Sequence, residues 1–301
     1  MSVIAAEGLQ TNPAQFIRQQ IKEFVRNNPD NHLSFMNNYA MFDKPLVNFA
    51  DGDDVIFTEY KNIIAPTHLT PREALAKAYN NNSGDMPERL SVISWILPIV
   101  EETRKSNRTE KRVPSRLWSH TRWYGEKFNN KLRSYVVDLL NNEGYLSAAP
   151  FLQPYFKTLR DEKGPFSNWS ERHIAYAAGN GTFSLSDGFI TERGIAHRCG
   201  SVVTNLVLPV SRRTAKSPYS NCLFYLGIDC KSCINRCPAR AISEKGHDKN
   251  KCEQYLHNIG YAPEQFKDGY DNDKSVAGCG LCQTKVPCEF QNPAKKLKKR
   301  A

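Results

Sequence analysis

The stretches CKSCINRCPARAI (residues 230–242) and GCGLCQTKVPCEFQNP (residues 278–293) decide the reading of the last third of the chain. Together with Cys222 and Cys252 they hold eight of the nine cysteines, which leaves Cys199 alone upstream. The N-terminal MSVIAAEGLQTNPAQ has no basic region followed by an apolar run. The expectation is therefore a cytoplasmic protein that is not secreted and does not enter a membrane. In that compartment thiols stay reduced, and clustered cysteines point to metal rather than to disulfides.

The spacing narrows the metal. Bacterial ferredoxins use C-x2-C-x2-C-x3-C-P, and the fourth cysteine of that run serves the other cluster. Cys230, Cys233 and Cys237-Pro238 fit its last three positions. Gly227 stands where the first cysteine belongs, and Cys222, five residues earlier, is the replacement. Two 4Fe–4S clusters need eight thiolates. By position, Cys222, Cys230, Cys233 and Cys288 form one set, and Cys237, Cys252, Cys279 and Cys282 the other. Zinc would suit two well-separated C-x2-C pairs but not the Cys-x2-Cys-x3-Cys-Pro run.

Upstream of the cysteines, helices and strands alternate. Asn12 followed by Pro13, with an apolar face at Phe16, Ile17, Ile21, Phe24 and Val25, predicts a helix over 12–26. Thr70-Pro71-Arg72-Glu73 predicts a second helix entered through a capping box. Val55-Ile56-Phe57 reads as a short strand. Leu90 to Leu97, apolar and β-branched, reads as a buried strand, and so does Val202 to Val210. Residues 126–140 place Phe128, Leu132, Tyr135, Val136, Leu139 and Leu140 on one helical stripe. Glu171 to Tyr176 reads as helix and leads into a glycine-rich run. The divisions expected are an N-terminal, mostly helical extension over 1–87, an α/β cofactor and substrate domain over 88–212, and the cysteine module with a basic tail over 213–301.

The formal charge is +10 and the isoelectric point about 9.1. Such a surface favours anionic partners. Lys295-Lys296-Leu297-Lys298-Lys299-Arg300 concentrates part of that charge and is a candidate contact for RNA phosphates.

These segments resemble a known family. CKSCINRCPARAI, then Lys251-Cys252, then GCGLCQTKVPCEFQNP resemble the double-cluster module of the epoxyqueuosine reductases and reductive dehalogenases, which are cobalamin-dependent iron–sulfur reductases. AYAAGNGTFSLSDGFITERG (175–194), with Arg198 and VVTNLVLP after it, resembles their AGLG-type segment beside the corrinoid. Leu90 to Pro98 and the helix after Tyr124 resemble the elements that precede it. The resemblance covers about residues 88–293 and is strongest at the cysteines.

It implies an α/β, nitroreductase-like catalytic domain followed by a ferredoxin-like module. Two clusters would pass electrons one at a time to a cobalamin on the α/β domain. An external electron donor, a ferredoxin or flavodoxin, would reload them, and the substrate would be a small molecule or tRNA. Gly179, Gly181, Ser184, Asp187 and Arg198 are the candidate cofactor contacts. Tyr124, Glu171, Tyr176 and His197 are the candidate catalytic groups. The alternative is an electron carrier that docks a partner enzyme. The chain also departs from the family. Asn180 replaces a hydrophobic residue after the first glycine. GPFSNWSERH (164–173) lacks the aspartate that epoxyqueuosine reductases carry shortly before the AGLG segment. Cys288 precedes Glu289 where the family has proline.

Overall fold

The computed structural model describes residues 8–258 and 278–297, apart from Ser83 and Asp85. Its frame is a four-stranded antiparallel sheet. Four segments build it: β1 (Leu46–Asp51), β2 (Ser91–Pro98), β3 (Ser147–Ala148) and β4 (His197–Thr204). Their order across the sheet is β1-β2-β4-β3. The longest pairing joins β2 to β4, running from His197 opposite Pro98 to Thr204 opposite Ser91.

Every residue of β2 is buried, because helices cover both faces of the sheet. Alternate side chains enter opposite layers. Ile93, Trp95 and Leu97 pack with Ile17, Ile21, Phe128, Leu132 and Val136. Val92 packs on the other side with Phe57, Tyr60, Leu75, Trp169 and Ile174. The first layer comes from α1 (Pro13–Asn27) and α4 (Arg116–Asn141). The second comes from α2 (Ile56–Ile63), α3 (Pro71–Ala78) and α5 (Glu171–Ala177).

Local chemistry explains the helix starts. Asn12 Oδ1 accepts the Gln15 amide at 3.1 Å, ahead of Pro13. Thr70 and Glu73 close the capping box reciprocally.

Three expectations are corrected. Val55-Ile56-Phe57 begins α2 rather than a strand. Asp54 accepts the Ile56 amide through its side chain, and the apolar pair Ile56 and Phe57 is buried on one helical face. The strand expected over 202–210 is displaced to His197–Thr204, since its limits are set by eight-residue pairing with β2 rather than by its own apolar run. Residues 46–51, within the expected helical extension, instead form β1, an edge strand of the central sheet, paired from Leu46 opposite Ile96 to Asp51 opposite Ser91. Among the described residues no helix is long and apolar enough to cross a membrane.

Two histidines lie deep in the second layer. His68 is 0% exposed, accepts the Ser170 amide at Nε2 and stacks on Trp169. His173 meets the Ser170 hydroxyl at 2.8 Å, while its carbonyl accepts the Tyr60 hydroxyl. Burial, helped by Lys61, holds His68 down at about 4. Burial, helped by Arg172, holds His173 down at about 3. The unfolded chain therefore binds protons below about pH 6.5 that the fold refuses, so stability falls as pH drops from there toward 4. Every tenfold loss of proton affinity on folding is worth about 1.4 kcal/mol. Urea unfolding followed by tryptophan fluorescence should show a loss of several kcal/mol between pH 7 and 4. The slope should weaken in His68→Asn, and a flat profile would contradict the assignment.

Candidate redox centre

The cysteine module is held against the α/β core by polar bonds. Asn107 Nδ2, in the helix Glu101–Thr109, donates to the Cys279 carbonyl at 3.1 Å. Trp118 Nε1 donates to the Gly278 carbonyl at 3.1 Å, and the Ile195 amide to the Cys288 carbonyl at 2.8 Å. Glu289 is 2% exposed. Its carboxylate takes Arg108 at 2.7–3.0 Å, Arg104 at 3.3 Å and the Lys285 amide at 2.7 Å. Glu289, which follows Cys288, is thus a buried ionic tie between the cysteine module and the α/β core.

The local fold aims the thiols. A short helix, Ser232–Arg236, ends at Cys237, because the residue before a proline avoids helical backbone. The freed Ala241 amide then donates to Cys237 Sγ at 3.4 Å. Gly227 has φ +77° and closes the turn Phe224–Leu226, on which Cys222 turns inward. Cys222 is buried with Leu185, Ile190, Ile195, Ile242 and Val286, and Cys233, Cys237, Cys282 and Cys288 pack against that cluster.

Around the buried thiols, burial is the leading influence and other thiols the next. Burial pushes Cys288 up, and next in weight come Cys222, Cys233 and Cys230. Cys233 is pushed up to about 11 by burial, then by Cys222 and Cys230. Cys252 is pushed up to about 12 by burial, then by Cys279 and Cys237. Cys282 is raised by burial, then by Cys279, Cys252 and Cys237, with Cys233 of the first group next. The two quartets are therefore neighbours. Buried thiols that raise one another need a compensating positive charge to ionise.

Among the described residues no three His, Cys, Asp or Glu converge as a single-ion site. A cubane has a cage of atoms between its ligand sulfurs, so it requires a wider quartet than one ion does. Cys222, Cys230, Cys233 and Cys288 together line one small cavity, with Leu223, Val286 and Pro287.

A second cavity, of about 1000 Å³, has Asn221, the chain neighbour of Cys222, in its wall. Asn221 and Leu226 from the cysteine module line it, opposite Leu46–Asn48 of β1 and the segment Gly179–Thr182. Arg18, Lys22, Lys44, Arg213, Lys216 and Lys295 give it a cationic wall. Asp54 compensates Arg213, and Glu192 compensates Lys295.

Of the candidate residues, Tyr176, Gly179 and Gly181 line this cavity, and Ser184 lines the cavity of the first quartet. The glycines have a nearer reason than a ligand. A Cβ on Gly181 would stand 2.3 Å from the Ile190 carbonyl of the hairpin Gly181–Phe183 and Phe189–Thr191. One on Gly179 (φ +73°) would meet the Arg212 carbonyl at 3.0 Å.

The other candidates face elsewhere. Glu171 Oε1 binds buried Arg133 at 3.0 Å, and Oε2 accepts the Ser201 hydroxyl at 2.7 Å. Burial lifts its carboxyl above the usual range, with Arg133 the main opposing influence. Arg198 pairs with Glu126. Asp187 binds His247 at 3.2 Å. His197 meets the Gly194 carbonyl through Nδ1, and burial holds it down at about 4. Tyr124 packs on Phe35 and His120. Cys199 lies opposite Ile96 in the sheet, and burial pushes its thiol up to about 12.

Sequence reading missed most of the cavity wall. Residues 18–48, 213–217 and 292–297 meet there only through the fold, and no local pattern marks them. The basic tail from residue 298 onward lies outside the described residues.

No family model matches the chain, and no curated protein does. Among solved structures it is similar to three of epoxyqueuosine reductase. A selenomethionine-labelled form is 17% identical, with a TM-score of 0.45. A structure from Bacillus subtilis, with the catalytic loop swung out of the active site, is 18% identical, with a TM-score of 0.42. A complex with an epoxyqueuosine-modified tRNA-Tyr stem loop is 18% identical, with a TM-score of 0.47. Each match covers 91% of this chain, which spans 65% of the length of the chain it matches.

Proposed function

We propose that the chain is an iron–sulfur reductase. In this reading Cys222, Cys230, Cys233 and Cys288 hold one 4Fe–4S cluster, and Cys237, Cys252, Cys279 and Cys282 a second. The observation that carries it is the pair of neighbouring thiol quartets, with Asn221, the chain neighbour of Cys222, in the wall of a cavity of about 1000 Å³. By resemblance, the cavity takes a cobalamin, which would supply a low-valent cobalt centre for reduction. Its fit to these residues rests on size, on the backbone of 179–182 along one wall, and on Asn180. That side chain is 6% exposed, and its Oδ1 has no partner within the protein. An amide-rich macrocycle offers donors for such an acceptor.

Tyr176 is the candidate proton donor that lines this cavity. Glu171 is engaged by Arg133 and Ser201, so its part is to anchor α5 under the sheet. The substrate is a small molecule or tRNA. Lys22, Lys44 and Lys216 have no carboxylate partner among the described residues, which favours an anionic ligand at the cavity mouth. RNA held this way would dissociate steeply with salt. The protein works in the cytoplasm and is reloaded by a ferredoxin or flavodoxin.

Anaerobically purified protein should contain about eight irons, as the two-cluster ligation rule requires. Cys222→Ser should disturb one cluster and leave the other. Added cobalamin should shift its absorption toward the form with the lower base displaced. Reproducible zinc in place of iron would end the iron–sulfur reading. Intact clusters with no cobalamin response would leave an electron carrier or a different cofactor.

A further inference from the structure

Arg236 stands between two cluster ligands in sequence, yet its guanidinium reaches away from its own helix. Nε donates to the carbonyls of Leu281 at 3.3 Å and Thr284 at 3.1 Å, on either side of Cys282. Nη1 donates to the Glu110 carbonyl at 2.8 Å and Nη2 to the Asn107 carbonyl at 3.2 Å. These partners are neutral carbonyls, so the charge is fixed in place without being cancelled. The thiols of Cys279 and Cys282 are its leading electrostatic partners, ahead of Glu289.

The first quartet is served differently. Arg104 and Arg108, which lie near Cys288, are both taken by the buried carboxylate of Glu289. Lys231, next to Cys230, is taken by Glu244 at 2.5 Å and Asp229 at 3.5 Å.

Resting on the iron–sulfur reading above, we propose that Arg236 is a positioning residue for charge. It would make the second quartet, farther from the large cavity, the higher-potential of the two sites, the one that takes the first electron delivered. Reduction adds one negative charge to a cluster, and a fixed cation close to the ligand sulfurs stabilises the reduced form. No bond is made or broken in this exchange. The electron would come from an external low-potential donor, which is oxidised as the second site is reduced.

The test is a redox titration of the anaerobically prepared full chain, followed by electron paramagnetic resonance. Cys252→Ser, which disturbs or removes the second cluster, assigns the couples. In the parent protein the couple affected by Cys252→Ser should be the higher one, and finding it the lower would overturn the inference without touching Arg236. Arg236→Gln should reduce the electron affinity of that couple about tenfold relative to the other, a fall of about 59 mV for one electron. Arg236→Lys should restore most of it. Unmoved potentials, an equal fall in both couples, or a fall in Arg236→Lys as large as in Arg236→Gln would each overturn it. A chain that binds no iron under these conditions overturns the iron–sulfur reading itself, and this inference with it.

Discussion

Arg133→Met is expected to cost about 3–5 kcal/mol of unfolding free energy, the range for breaking a buried ion pair from one side. Arg133 is 1% exposed. It holds Glu126 at 2.8 Å, Glu171 at 3.0 Å and the Cys199 carbonyl at 3.1 Å, and lies over the Phe151 ring. Methionine fills much of the volume but strands a carboxylate beneath the sheet, with Ser201 as its remaining partner. The double variant Arg133→Met with Glu171→Gln should recover part of the loss, because the stranded charge is gone. Urea unfolding of both variants measures this. A single-variant loss under about 1 kcal/mol, or losses in Arg133→Met and Glu171→Gln that simply add, would refute the coupling.

Glu289→Ala is expected to do two things together. It leaves Arg104 and Arg108 facing each other without their shared carboxylate, at a cost of about 3 kcal/mol. It also loosens the segment whose Cys288 and Glu289 carbonyls accept the Ile195 and Ala196 amides. Cys288 belongs to the first quartet, so iron content should fall toward about half while the second cluster keeps its spectrum. Glu289→Gln, which keeps the shape and one acceptor, should lose less iron than Glu289→Ala. Full iron in Glu289→Ala would mean that Cys288 is held without this tie.

Local signals were legible wherever backbone chemistry acts over a few residues. The Asn12 and Thr70 caps were legible, and so was the buried strand from Leu90. Features made by distant partners were not. The helix expected from residue 126 begins at Arg116. Its first turns bury Ser119, His120 and Thr121 beside Leu117 and Trp118, so no apolar stripe announces them. The strand Leu46–Asp51 shows weak alternation because it is defined by its neighbour β2. Val55-Ile56-Phe57 has strand propensity, yet the Asp54 side chain and burial of one face make it helical. The cysteine spacing is a local pattern and was legible as such, because ferredoxin-type ligation is written in neighbouring residues. The cationic cavity wall has no such code, and neither do the carbonyl partners of Arg236.

The way the quartets are strung along the chain has a consequence for synthesis. On the iron–sulfur reading, the first quartet needs Cys288 to join thiols from residues 222–233, and the second needs Cys279 and Cys282 to join Cys237 and Cys252. The central sheet, by contrast, has its last strand once residue 204 has been made. A growing chain can therefore complete its sheet while neither thiol set is whole. Fragments that stop before residue 279 would carry three thiols of the first set and two of the second. On the iron–sulfur reading, neither cluster could be completed before residue 282 has been made, nor the first before residue 288.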